Sequence, residues 1–450
     1  MATWHISADL FRRFLARSVG KEDSKRILRH LIRGCAECGE LAARIVEEAG
    51  YWFPKRDAGF TAEECEAAFT SALRFGNEKQ RRAAVERVRG WGQWSSIEPL
   101  LPEERLAQVI RDRQFHHWGF HEALLDASRW YSRNDPLEAV NIVRLAVSQA
   151  EILDAAAVGG ARAAADLRAR GFAILGNALR LAADLAGARQ AIDEAWRLHG
   201  EGTGDLLQKA QLTGFDASLI RAMGEFETAE AALEEALEIY QAAGDHHMQG
   251  RTLLKMGNAI GYANPARGIE HICRALALIN TAKEPRLELC AQHDLAWFMT
   301  DAGRPEQALA ILDRARPLYK QFPDPWTQLR LHWLEGRIAR GLGHLEEASS
   351  TLGQLWERFQ AHDLKQELVI LSIDLAEIHV ARGEFAAGAR LAADIYPIMV
   401  QRGLHRPALA AWLVFQQALE RGQAARLCAR LRLYYRRHWL VGAEFPSEKP

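Results

Sequence analysis

No run of this 450-residue sequence is apolar for long. A bilayer span needs roughly 18 or more consecutive apolar residues, and "LAAWLVF" (409–415) falls far short of that. The opening "MATWHISADLFRRFLARSVG" lacks the apolar core and small-residue cleavage site of a secretory leader. A soluble, cytoplasmic protein without a membrane partner is expected. An excess of one charge is missing too, since 57 Lys and Arg stand against 58 Asp and Glu. Such balance gives no electrostatic ground for direct nucleic-acid binding over the whole chain. Cysteine is sparse, and Cys65, Cys273, Cys290 and Cys428 are scattered singly, unlike a disulfide framework. No phosphate-binding loop, HExxH, GxSxG or Rossmann glycine fingerprint occurs. Nothing in these patterns recommends catalysis.

What the chain does have is Ala, Leu, Arg and Glu, the residues of packed helices. It also repeats. "LGNALRLAADLAGARQAIDEA" (175–195), "DASLIRAMGEFETAEAALEEA" (216–236), "LAWFMTDAGRPEQALAILDRA" (295–315), "EGRIARGLGHLEEASSTLGQL" (335–355) and "LAEIHVARGEFAAGARLAADI" (375–395) share one pattern. A small residue recurs at Gly176, Ala217, Gly257, Ala296, Gly336 and Ala376, at intervals of 41, 40, 39, 40 and 40. Two antiparallel helices cross closely only where small side chains let their backbones approach. Gly224, Gly303, Gly343 and Gly383 fall where the first helix of each pair should end, in the left-handed conformation glycine adopts freely. The first unit has Ala183 there, so its turn is expected to be built differently. "GYANPARG" (261–268) is one residue short and carries Pro265 at its turn. Helix pairs that bury their apolar faces only by stacking make a solenoid.

The "LGN" of 175–177, the turn glycines, and the later Ala188, Ala229, Ala308 and Ala348 resemble the signature positions of the tetratricopeptide-repeat family. The resemblance covers about 120–425, with a period near forty instead of the family's 34. It implies an all-α solenoid whose inner groove, lined by the first helix of each pair, takes a protein or peptide. The matching groove positions are Asn177, Arg180, Arg221, Lys255, Asn258, His293, Trp297, Arg337 and Arg340. Asparagine can hydrogen-bond a peptide backbone, and Arg or Lys can hold a carboxylate, which suggests an acidic or C-terminal peptide. The alternative is a plain scaffold with solvated charges.

Residues 1–50 read differently. "SADLFRRFLARSV" places Leu10, Phe11, Phe14 and Leu15 on one helical stripe, with Ser7 as its N-cap. "KEDSKRILRHLI" and "CAECGELAARIVEEAG" supply two more short amphipathic helices. So small a core is marginal alone, and a metal staple is one remedy. On one continuous helix His30 and Cys35 would lie about 140° apart and could not share a metal. Gly34 breaks the helix between them, and Cys35 and Cys38 open the next at i, i+3, where a helix N-terminus favours thiolate. Two thiolates and His30 suit zinc, and His5 could complete a tetrahedron. The other readings are two small core thiols beside an exposed His30, or a thiol–disulfide pair.

His5, His30, Cys35 and Cys38 together resemble the zinc-binding anti-sigma-factor family over about residues 3–48, with four residues instead of three between histidine and first cysteine. That resemblance implies a zinc head that clasps an extracytoplasmic-function sigma factor.

Four further stretches carry expectations. "RQFHHWGFHEALLD" (113–126) sets His117 and His121 four apart, a spacing that can hold a metal; alternatively its aromatics cap the solenoid and the histidines face water or backbone. "GWGQWSS" (90–96) reads as a loop whose tryptophans pack beneath the first repeat. "RLCARLRLYYRRHW" (426–439) is a basic aromatic helix, either a nucleic-acid contact or the polar cap a solenoid needs. "GAEFPSEKP" (442–450) reads as unstructured.

The organisation expected is a three-helix zinc-binding head (1–50), a helical linker (51–115), a solenoid (116–440) and a disordered tail (441–450). The function expected is that of a non-enzymatic regulator. Its head holds a sigma factor or similar partner, and its solenoid holds a protein or peptide. The alternatives are a scaffold with a purely structural head, or a metal enzyme using His117 and His121.

Overall fold

A computed structural model of the chain describes residues 4–15, 18–32, 35–48, 81–132, 135–361, 365–401, 406–422, 424–438 and 445. All regular structure among them is helical. They divide into two compact units, one reaching Lys209 and adding Glu238–Asp245, the other comprising Ala210–Leu237 and the chain from His246 onward.

The first unit begins with α1 (Ala8–Leu15), α2 (Lys21–Ile32) and α3 (Ala36–Glu48). Ser7 caps α1, its Oγ accepting from the Leu10 amide at 3.2 Å. Ile6, Phe11, Ile27, Cys38 and Ile45 are the buried centre of this head. A core of that size gives little stability by itself. Gly34, and residues 51–80 of the expected linker, lie outside the described residues.

Helix α4 is described over 81–97, so "GWGQWSS" is helical and not the expected loop. Its glycine serves contact, not turning. A Cβ on Gly90 would fall 2.2 Å from the Gly119 carbonyl oxygen, so two backbones touch there. Trp94 is buried beside this contact and Trp91 is exposed. There follow α5 (Pro102–Arg111), α6 (Trp118–Tyr131), α7 (Pro136–Glu151), α8 (Ala161–Leu181) and α9 (Leu185–Glu201).

Helices α10 (Leu206–Ala222) and α11 (Phe226–Ala242) make the next pair. The remaining pairs are α12 (His246–Ile260) with α13 (Pro265–Leu276), α14 (Pro285–Asp301) with α15 (Pro305–Gln321), and α16 (Pro325–Gly341) with α17 (Leu345–Ala361). They continue with α18 (Lys365–Ala381) and α19 (Phe385–Gln401), then α20 (Arg406–Glu420) and α21 (Ala425–His438). This is an α-solenoid of tetratricopeptide-like helix pairs. No described helix is long and apolar enough to cross a membrane.

The forty-residue period has a direct physical basis. Gly176, Ala217, Gly257, Ala296, Gly336 and Ala376 are all buried. A Cβ on Gly336 would sit 2.3 Å from Leu352 Cδ2, and one on Gly176 2.7 Å from Ile192 Cγ1. Each marks where the second helix of a pair lies against the first. The first helices end alike: φ is 88° at Gly224, 72° at Gly303, 82° at Gly343 and 73° at Gly383. Ala183 does the same at φ 64°, so the expectation of a differently built turn is corrected. The Asp184 amide reaches back to the Leu179 carbonyl as the Arg304 amide does to Met299, which satisfies the same helix-end carbonyls. Alanine tolerates this at a backbone cost. At the short repeat, Asn264 caps α13 through the Arg267 amide and Pro265 takes its first position, where the missing N–H costs nothing.

In the second unit one continuous core runs from Ala217 to Ile378, and another surrounds Trp412, Phe415, Leu431 and Tyr435. Helix α21 buries Cys428, Leu431 and Tyr435 in the latter, with the Tyr435 hydroxyl donating to the Ala408 carbonyl at 2.7 Å. Of the expected tail, only Phe445 is described, its ring 5.2 Å from that of Tyr434.

Candidate functional site

The structure gathers His5, His30, Cys35 and Cys38, with one ligand atom from each lying within 4.8 Å of all the others. Among the described residues no other such cluster of three or more occurs. Position follows from local structure. His5 precedes α1, His30 rides the last turn of α2, and the two cysteines open α3. Both sulfurs lie 3.5 Å from His5 Nδ1. The surroundings suit a metal. His30 Nε2 is buried without a hydrogen-bond partner among the described residues, a state that an ion would relieve. The Ile6 amide donates to Cys38 Sγ at 3.2 Å, and Glu37 lies 3.5 Å from His5 Nε2, the outer carboxylate that commonly orients a ligating histidine. Two sulfurs and two imidazoles match zinc. Burial pushes the Cys38 thiol up, outweighing the Ile6 amide that would lower it.

His117 and His121 do not converge. His117 Nε2 meets Gln93 Oε1 at 2.7 Å, and His121 Nδ1 meets Gln149 Oε1 at 3.1 Å. His121 is wholly buried, so it faces backbone of Ala146 and Leu167 and not water, and burial lowers its pKa to about 4.

The nine groove positions separate. On α8, Arg180 bonds Asn177 Oδ1 at 2.9 Å. In the second unit Arg221, Asn258, His293 and Trp297 line one cavity of about 360 Å³. Successive first helices α10, α12, α14, α16 and α18 build it, and α21 adds Arg436. Asn258 donates to the buried Asp294, which also accepts from Arg330 at 3.0 Å. His293 is tied to the Tyr319 hydroxyl at 2.6 Å, and burial carries its pKa well below the usual value. Lys255 donates to the Gly214 carbonyl at 2.7 Å.

Arg337 and Arg340 sit behind the cavity. Arg337 is fully buried, bridges Asp301 and Asp374, and lays its guanidinium 4.2 Å from the Trp297 ring centre. Arg340 pairs with Glu377 and Asp374. Arg432 of α21 joins them, 2.9 Å from Asp374 and 2.7 Å from Glu377. Burial alone would raise the Asp374 carboxyl, but Arg337, Arg432 and Arg340 bring it down to about 2.

Sequence reasoning passed over Tyr262, Trp326, Arg330, Trp333, Glu367 and Arg436, which share the cavity wall. Trp333 was findable, since it stands forty residues after His293 in the repeat register. Arg436 was not: nothing in the sequence of α21 places it against Tyr262 and Trp297.

No protein-family profile and no curated protein matches this sequence. Solved structures do. A Rap protein complexed with Competence and Sporulation Factor superposes with a TM-score of 0.54 at 14% identity, covering 69% of this chain and 85% of that one. Aspartyl phosphate phosphatase F from Bacillus subtilis superposes with a TM-score of 0.50 at 14% identity, covering 87% and 94%. At that identity the likeness is one of fold alone.

Proposed function

We propose that this protein is a non-enzymatic regulator acting through protein contacts. In this reading residues 1–50 form a head stapled by one zinc ion on His5, His30, Cys35 and Cys38. The head holds a protein partner, for which the extracytoplasmic-function sigma factor is the specific candidate. The solenoid of 116–440 takes a second protein or peptide on the face of its first helices, with Arg221, Asn258, His293 and Trp297 touching it. Lys255 belongs to the same series of first helices, Asn177 and Arg180 are further candidates within the first unit, and Arg337 and Arg340 hold Trp297 and its neighbours in place.

The observation that carries this is the four-ligand cluster, in which ligand atoms of two histidines and two cysteines lie within 4.8 Å of one another and a cation would satisfy the buried His30 nitrogen. A zinc staple would turn a head with a five-residue buried centre into a rigid recognition surface. The Rap structure of the same fold carries a bound factor, which supports ligand binding by the solenoid.

The test is zinc content beside co-purification. Protein prepared without chelator should carry about one zinc per chain, absent from the Cys35→Ser, Cys38→Ser double variant. An extracytoplasmic-function sigma factor of the host should be retained by the zinc form and not by the variant. Zinc without any sigma factor leaves a solenoid adaptor with a structural head; no zinc removes the basis for the head's role.

A further inference from the structure

The C-terminal helix was expected to be a polar cap or a nucleic-acid contact. In the structure three of its arginines reach residues elsewhere in the second unit. Arg432 reaches Asp374 and Glu377, and Arg437 reaches Glu227 at 2.6 Å across 210 residues of sequence. Between them Arg436 lies 3.8 Å from the Tyr262 ring centre and 5.3 Å from that of Trp297, where it walls the cavity.

Charge around this cavity does not close. Behind it Arg337, Arg340 and Arg432 are matched by Asp301, Asp374 and Glu377, and Arg437 by Glu227. At the wall stand Arg221, Arg330 and Arg436, against only Glu367 and the Asp294 that Arg330 already holds. One positive charge is left over. Two donors in the wall, Trp297 Nε1 and Arg436 Nε, are buried with no acceptor among the described residues. Such donors are costly unless something accepts from them. Flat rings of Phe226, Tyr262, Trp326 and Trp333 make up much of the rest of the wall, beside the polar Asn258 and His293.

We propose that this cavity binds a carboxylate borne on an aromatic or other flat apolar group, and that Arg436 of the C-terminal helix is one of its ligand-binding residues. A phosphate monoester would bring a charge nearer two, for which no second cation is left over. The cavity's size is at the lower end of small-molecule sites and suits one such group, free or as the last residue of a peptide. The inference rests on the reading that the solenoid binds ligands, and it makes α21 part of the site.

The test titrates the full-length protein with N-acetyl-phenylalanine and with its neutral amide, and then with a hexapeptide ending in phenylalanine as free acid and as amide. Tryptophan fluorescence and calorimetry read the binding. The acid should bind at least about tenfold more tightly than its amide, the worth of one charge-assisted contact. Arg436→Gln should remove that preference and Arg436→Lys should keep part of it, with thermal unfolding showing both variants folded. Binding of the peptide acid alone assigns the site to peptide termini, whereas binding of both acids allows free carboxylates. Equal binding of acid and amide, an Arg436→Gln protein that still prefers the acid, or no saturable binding of either acid overturns the proposal. A partner captured by the solenoid with no such preference would leave the broader reading standing.

Discussion

In the head, His30 buries a ring nitrogen without a hydrogen-bond partner among the described residues; in the second unit Arg337 is buried more completely and leaves its own Nε unpartnered, yet Asp301 and Asp374 neutralise its charge and the Trp297 ring covers it. Both regions place polar groups where water does not reach. The solenoid has enough layers to supply counter-charges to α16 from the first helices on either side of it, α14 and α18. The head has three short helices and a five-residue buried centre, so its polar cluster needs something from outside. The Arg337 charge and the His30 nitrogen therefore mean different things: an internal clasp in one, an open ligand position in the other.

The largest effect should come from taking the metal away. Structural zinc contributes on the order of 10 kcal/mol to folding of a small domain. A chelator should thus abolish hydrogen-exchange protection in α1–α3 and leave α12–α19 protected. Equal protection of α1–α3 with and without chelator would erase the difference between the two regions.

Next is the clasp. Arg337→Met leaves the buried Asp374 and the half-buried Asp301 with less counter-charge and should cost about 3 kcal/mol in urea unfolding. A loss below about 1 kcal/mol would mean that Arg340 and Arg432 suffice without it. The same carboxylate sets an acid dependence. Asp374 is held at about 2, below its unfolded value, so its contribution is full above about pH 4 and is lost as pH falls toward 2. Asp374→Asn should flatten stability over that interval.

The smallest effect lies where no polar group is at stake. Ala183→Gly should stabilise by about 1 kcal/mol, because glycine meets no steric cost at φ 64°. Gly303→Ala should cost about as much, since an added Cβ there meets nothing within 4 Å and only the backbone pays. Unchanged melting in both would show that these turns, unlike the head and the clasp, carry no stored cost.

Much of this was legible along the chain. The forty-residue spacing of Gly176, Ala217, Gly257, Ala296, Gly336 and Ala376 reports helix crossings, because close approach excludes larger side chains and leaves a trace in residue type. The His5, His30, Cys35 and Cys38 grouping was likewise readable, since few residue types bind metal and three of these four lie within nine positions. The loop expected at "GWGQWSS" went wrong for a related reason: glycine marks turns and close contacts alike, and only the partner at Gly119 distinguishes them.

The amino-acid sequence by itself determined the all-helical solenoid, its period and the candidate ligands of the head, because each rests on local pattern or on side-chain chemistry. Tertiary structure alone decided which cations are spent. Arg337 and Arg340 looked like Arg221 in sequence, yet Asp301, Asp374 and Glu377 arrive from neighbouring helices to neutralise them, while Arg221 stays at the cavity. It also decided that α21 brings Arg436 to Tyr262 and Trp297, well over a hundred residues away in the chain. Electrostatic balance is a sum over neighbours in space, and spacing along a chain does not contain it.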